Sequence, residues 1–300
     1  MNIDLNQNVI KEASLLIKIE MFVLSSLKSI RKPRSFYENF TDLLLDFHQV
    51  YNPDFSYSRL IGLFCCLLCD YDFERQTLNS LYNCLKRTSF SEWQKYFKQA
   101  RADHLNEMRQ HRYNERLNAD KLDTRLIELQ EHYSALLVVR VDLAYSMSPD
   151  IEQVDHDLEE LRRRINRSIY GDDLLLLVWA IEQGERKGYH CHIALVFDER
   201  KRTFPWPIAK YVGELWEEIT LGDGNYFNCH DRRYLKQYEE RGILGVGVIF
   251  SNVPYQAKKM RSTLSYLARP DKDQYLRVKT NKKMRTFGMN RTGFVGESIF

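Results

Sequence analysis

The sequence predicts an α+β fold: a split βαβ, ferredoxin-like antiparallel sheet preceded by an all-helical N-terminal domain. Three observations predict it. Apolar residues before about residue 98 recur at three-four spacing, the period of a helix. From Ala135 onward they gather in short continuous blocks of the kind that form buried strands. Between the two lies a long, strongly polar stretch, 100–131, and the domain boundary is placed there. The result is a helical domain with a charged linker over 1–130 and a β-rich unit over 131–300.

In chain order, Ile10, Ala13, Leu16, Ile17 and Met21 share one helical face, as do Phe40, Leu43, Leu44 and Phe47. Lys32-Pro33 and Asn52-Pro53 mark helix boundaries, because the residue before proline is pushed out of helical geometry. The stretch 100–131 reads as an exposed helix or linker, the ordinary meaning of a charge run. Residues 136–143 form a strand, and Pro149-Asp150 opens a helix with Ile151, Val154, Leu158, Leu161 and Ile165 on one stripe. Two strands, 174–183 and 189–197, are joined by the Gly-flanked turn 184–188. A helix over 207–219, with proline in its first turn, precedes a strand over 245–250. Strand, helix, strand, strand, helix, strand is the split βαβ order. It places the helices on one face and leaves the other free for a ligand.

Bulk properties narrow the class without naming a partner. A formal net charge of +3 over 300 residues is too small to indicate nucleic-acid binding, so any such argument is local. Cys65, Cys66, Cys69 and Cys84 cluster among apolar residues without the spaced framework of a disulfide-rich domain. They read as reduced thiols, three of them in a buried helix; a zinc site from Cys66, Cys69 and Cys84 is the rival reading. The N-terminal residues lack a cationic-then-apolar leader, and the longest apolar run, 60–69, is about half a membrane span. The expectation is a soluble, cytoplasmic protein with no membrane partner.

The chemistry concentrates at His190 and His192, which flank one small residue at the start of a strand. Strand side chains alternate, so both imidazoles face the same way. If the hairpin pairs symmetrically about Arg186, Glu182 stands opposite His190 on that same face. Two imidazoles and a carboxylate converging on one point form a donor set for a divalent cation. The plainer alternative is a pair of ordinary core or surface histidines.

A second cluster follows at 253–269, a helix with proline near its start, ended by Pro270. Tyr266 and Arg269, three apart, fall on one helical face. Lys258, Lys259, Arg261 and Arg269 make it basic, and Lys279, Lys282, Lys283, Arg285 and Arg291 surround Phe287-Gly288. Cations interleaved with aromatics suit a surface that tracks phosphates and stacks bases, with Lys258, Lys259, Lys283 and Arg285 as its contacts. The alternative is a packing tyrosine beside a solvated face. Gln183 and Lys187, near the hairpin turn, are either DNA contacts or solvated side chains.

Together these motifs resemble the HUH endonucleases of rolling-circle replication and mobilisation. More narrowly, LLVVRVDLAY, WAIEQGERKGYHCHIALVFD, SYLARPDK and RTFG resemble the YagK/YfjJ C-terminal domain family of prophage and filamentous-phage replication proteins. The resemblance covers roughly 133–290. It implies Mg²⁺ or Mn²⁺ at Glu182, His190 and His192, with Tyr266 as the nucleophile that nicks and rejoins single-stranded DNA. Its implied partners are a single-stranded origin or hairpin and a host helicase or polymerase. Arg269 stands where the family usually has lysine; Lys272 is a substitute, and Tyr275 and Tyr255 are the next candidate nucleophiles. Two other classes stay open: an inactive DNA-binding regulator of the same fold, and a hydrolase that uses a metal-bound water. For the N-terminal helices, origin recognition, helicase recruitment and contact with another subunit are equally open.

Overall fold

A computed structural model describes residues 11–71, 77–269 and 274–290 of the chain. Five helices open it: α1 (Glu12–Lys28), α2 (Phe36–Val50), α3 (Arg59–Asp70), α4 (Leu78–Arg87) and α5 (Phe90–Gln99). Their apolar faces meet in an aromatic cluster. Phe22 stacks on Phe36 at 5.3 Å, and Phe40 stands edge-on to Trp93 at 4.9 Å. Ring pairs in these geometries add to what burial alone contributes. The short strand β1 (Ser56–Tyr57), between α2 and α3, sits apart from the main sheet.

The polar stretch is no linker. It forms α6 (Arg101–His132), one continuous helix of 32 residues. Ala119, Leu122, Leu126 and Leu129 repeat at three-four spacing and are buried. So few apolar residues carry the burial that the stripe is diluted by the charged faces around it.

The main sheet is antiparallel throughout. Its long strands are β2 (Ala135–Tyr145), β3 (Leu174–Gly184) and β4 (Gly188–Asp198), with β4 central between the other two. Helix α7 (Ile151–Arg163) and a π-type turn lead from β2 to β3; α8 (Pro205–Ile219) follows β4. The strand expected at 245–250 shares the edge of β2 with a second short one. Strand β5 (Gly224–Asn228) pairs with Val141 to Tyr145, and β6 (Gly247–Phe250) pairs with Ala135 to Val138. Helix α9 (Arg232–Glu240) lies between them in sequence. Strand β5 is short and polar, and α9 carries only Tyr234, Leu235 and Tyr238 among charged residues, which is why the sequence pattern passes over both.

After β6 come α10 (Pro254–Ser265), β7 (Val278–Lys279), which pairs with β1, and β8 (Phe287–Met289), which pairs with the free edge of β3. Gly288 lies so close to Trp179 that an added Cβ would stand 2.6 Å from the indole, so this strand pairing requires glycine.

Helices cover both faces of the sheet, against the expectation of one free face. On one face, Leu137, Val139, Trp179, Ile193 and Leu195 join Leu16, Phe40, Val154 and Val212 in one continuous core with the N-terminal helices, α7 and α8. On the other, Leu136, Val138, Val178, Ala194 and Val196 pack beneath Leu122, Leu126 and Leu129 of α6 and Met260 and Leu264 of α10. The second core covers only half of its face. Leu136 and Val138 give way along β2 to Arg140 and Asp142, and Val196 and Ala194 along β4 to His192 and His190. A cleft remains over that polar half.

The thiols also depart from expectation. Cys66 and Cys69 are exposed and Cys65 is half-buried, because α3 turns only one side to the core; Cys84, on α4, is also half-buried. No described helix is long and apolar enough to cross a membrane.

Leu126→Ala is expected to lower stability by about 2–5 kcal/mol, the cost of a cavity in a closed core. Urea unfolding followed by circular dichroism measures it; a loss below about 0.5 kcal/mol, typical of a surface site, would mean α6 is not packed.

Candidate metal centre

The hairpin register places the ligands. Gly184 pairs with Gly188, Glu182 with His190 and Ala180 with His192, so the carboxylate and both imidazoles project from one face. Gly188 has φ +65°, a left-handed conformation that glycine adopts without strain and that closes the turn in this register.

The three side chains converge. Glu182 Oε2 lies 3.3 Å from His190 Nε2 and 3.4 Å from His192 Nε2, and all three residues are buried. Both imidazoles are oriented from behind. His190 Nδ1 donates to the Gly188 carbonyl at 3.2 Å, and His192 Nδ1 donates to Asp142 Oδ1 at 2.8 Å. With the proton held on Nδ1 by these acceptors, Nε2 is the nitrogen left to bind a cation in each ring. The second carboxylate oxygen, Glu182 Oε1, is buried without a hydrogen-bond partner among the described residues. An orphaned carboxylate oxygen beside two Nε2 atoms is the donor set of a cation site, and these are the only three or more His, Cys, Asp or Glu residues among the described ones that form one. Cys66, Cys69 and Cys84 do not.

Burial works against the charge on Glu182, but the adjacent imidazoles of His190 and His192 prevail and hold its carboxyl at about 2. Burial likewise opposes charge on His192, yet Asp142 and Glu182 together raise it to about 9. Asp142 itself is held well below the ordinary carboxylate range: hydrogen bonding to His192 and the charge of Arg140 outweigh its burial. Arg140 completes the group, its Nε 3.0 Å from Asp142 Oδ1 and an Nη2 3.4 Å from His192 Nδ1.

The triad forms part of the wall of a cleft of about 1180 Å³, which Arg140, Arg186, Lys187 and Arg241 also line. Tyr266 lines it too, 41% exposed. This tyrosine does not sit within the helix as expected. Helix α10 ends at Ser265, and Tyr266 begins a 3₁₀ turn, after which Arg269 is no longer helical. The shared-face argument for Tyr266 and Arg269 therefore fails. Arg269 borders a neighbouring groove between α6 and α10 with Lys258 and Asp123, and Tyr266 stands where that groove and the cleft meet.

The other predicted nucleic-acid contacts are dispersed. Lys259 lies over the Tyr255 ring at 5.1 Å, Arg285 lines a groove between α6 and β8, and Lys283 is exposed in the turn before β8. Gln183 is fully buried, donating to the Ala13 carbonyl and accepting from the Arg277 amide, so it faces no ligand. Tyr275 is tied to Glu20, and Tyr255 lies outside the cleft. Lys272 and Arg291 fall outside the described residues.

Sequence reading passed over Arg140 and Asp142. Their signal was present: two charged residues at period two inside the apolar run of β2 occupy one face of a buried strand.

The chain matches no family model, no curated protein and no solved structure. The site therefore rests on its own geometry.

Two outcomes follow. Asp142→Asn removes the carboxylate that orients and charges His192, and is expected to weaken Mn²⁺ binding about 10–100-fold by isothermal titration. Unchanged affinity would mean His192 needs no such support. Because His192 carries a proton up to about pH 9 in the metal-free protein, Mn²⁺ must displace it. Affinity should rise roughly tenfold per pH unit toward pH 9 and level off above it, and a flat profile between pH 6 and 8 would contradict the site.

Proposed function

We propose that this chain is a metal-dependent single-strand DNA nickase and strand transferase with a tyrosine nucleophile. It would be of the HUH type, with the YagK/YfjJ-like motifs in order, and act in rolling-circle replication of a phage, prophage or mobile element. One observation carries the reading: an exposed phenol, Tyr266, lines the same cationic cleft as the Glu182, His190 and His192 cluster. The strand order β5-β2-β4-β3, with helices linking β2 to β3 and β4 to β5, agrees with a ferredoxin-like sheet of that type.

Glu182, His190 and His192 would hold Mg²⁺ or Mn²⁺, which supplies Lewis-acid polarisation of a phosphodiester. The protein's own residues do the rest. Asp142 and the Gly188 carbonyl keep both imidazoles in the binding tautomer. Arg186, Lys187 and Arg241 draw the strand's phosphates into the cleft. Tyr266 Oη gives up its proton to solvent and forms a bond to phosphorus as the bond to the 3′-oxygen breaks; that oxygen takes up a proton and leaves as a hydroxyl, and the phosphate stays on the tyrosine as a 5′-ester. The ester conserves the bond energy for rejoining.

The second reading is an inactive DNA-binding descendant of the same fold. What favours it is Arg269, which replaces the usual lysine and borders the α6–α10 groove instead of the cleft. Arginine keeps the charge but cannot give up a proton.

The test is incubation with labelled single-stranded DNA and Mn²⁺. Wild type should form an SDS-resistant adduct, and Tyr266→Phe and His192→Ala should form none. Equal adduct from Tyr266→Phe rules that phenol out. Cleavage without adduct in Tyr266→Phe points to a water nucleophile. Strand binding with no cleavage by wild type supports the inactive reading.

A further inference from the structure

Helix α9 is unusual for its position. It is inserted where the β2 edge changes from β5 to β6, and none of its residues is buried. An amphipathic helix ordinarily earns its place by burying one face. Here Tyr234 and Tyr238, four apart and so on one side of the helix, line the cleft. Asp231 caps the helix through the Arg233 and Tyr234 amides, and Leu235 packs against the edge of the second core, which leaves the two tyrosines turned to the cleft.

A third ring continues the row. Phe227 on β5 pairs with Asp142, and Asp142 pairs with His192, so Phe227 projects from the same face two strands from the imidazole, roughly 10 Å across the sheet. Phe227 lies 45% exposed in an otherwise well-packed sheet. Its ring centroid is 4.9 Å from that of Tyr234, which is 4.5 Å from that of Tyr238. Arg241, just beyond α9, also lines the cleft. Three adjacent rings, partly open to solvent and bordered by a cation, have what single-stranded nucleic acid recognises: π-faces for bases and positive charge for phosphates.

We propose that Phe227, Tyr234 and Tyr238 form a base-stacking subsite for a nucleotide flanking the phosphate that a cation on Glu182, His190 and His192 would bind. The proposal rests on the reading of the cleft as a single-stranded DNA site. Nicking is not needed to test it. A strand whose phosphate reaches the imidazoles has a neighbouring base within reach of Phe227, and the paired rings extend the contact along α9. The subsite is tolerant of base identity, since every base offers a π-face.

The experiment measures fluorescence anisotropy of a labelled oligothymidylate with full-length Tyr266→Phe protein and Mn²⁺, so that binding is read without cleavage. The same strand with abasic positions is the comparison probe. The parent should prefer the base-bearing strand by about tenfold or more. Tyr234→Leu with Tyr238→Leu, and separately Phe227→Leu, should erase most of that preference while leaving the salt dependence unchanged. Arg241→Gln should do the reverse, flattening the salt dependence and keeping the preference. Because all four side chains are at least partly exposed, thermal unfolding should be close to the parent's for every variant. The proposal is overturned if the parent binds both strands equally or neither, or if the leucine variants keep its preference. Absence of adduct in the wild type, with these ratios intact, would count against the nickase alone.

Discussion

The register of the β3–β4 hairpin is the constraint on which the site depends. A slip of one residue would send Glu182 to the opposite face from His190 and His192, since strand side chains alternate with a period of two. Three things hold the register: the Gly184–Gly188 closure, the left-handed Gly188, and long apolar strands whose inward residues are buried on both faces. The polar cluster is thus placed by the apolar packing around it. Glu182, with two imidazole nitrogens on one oxygen and no partner for the other among the described residues, is the group that this packing most strongly obliges to find a cation.

The sheet's second face is divided along the strands. Where β2, β3 and β4 carry Leu136, Val178 and Val196, α6 and α10 close over them; where the same face carries Arg140, Glu182 and His192, no described helix closes over it, and an apolar helix face there would strand those charges without partners. The division also explains Tyr266. It sits where α10 leaves the apolar half, its neighbour Leu267 in the second core and its own ring on the cleft.

The N-terminal helices brace the hairpin from its other side. Tyr189, next to His190 on β4, donates to the buried Glu12 of α1 at 2.6 Å, and Ser14 reaches the Glu185 carbonyl. Burial pushes Glu12 up to about 7. Glu20 pairs with the buried Arg277 at 2.6 Å, and Gln183 joins Ala13 to the Arg277 amide. A buried ion pair with its hydrogen bonds satisfied fixes position more than it adds stability. These contacts tie α1, the hairpin and the chain around β7 into one unit across the supposed domain boundary.

Much of this was legible in the chain. The α+β class, the helices at either end of β2 to β4, and the facing of Glu182 with His190 follow from period-two and period-3.6 patterns, which are local and so written in consecutive residues. The rest depends on contacts between distant segments. That α6 is packed and not a linker turns on four residues meeting a sheet that comes later in the chain. Asp142 becomes the partner of His192 only through the pairing of β2 with β4, and Arg269 leaves the cleft because α10 ends one residue before Tyr266. Local pattern decided which elements form and which way their side chains point; tertiary packing alone decided which of those side chains meet.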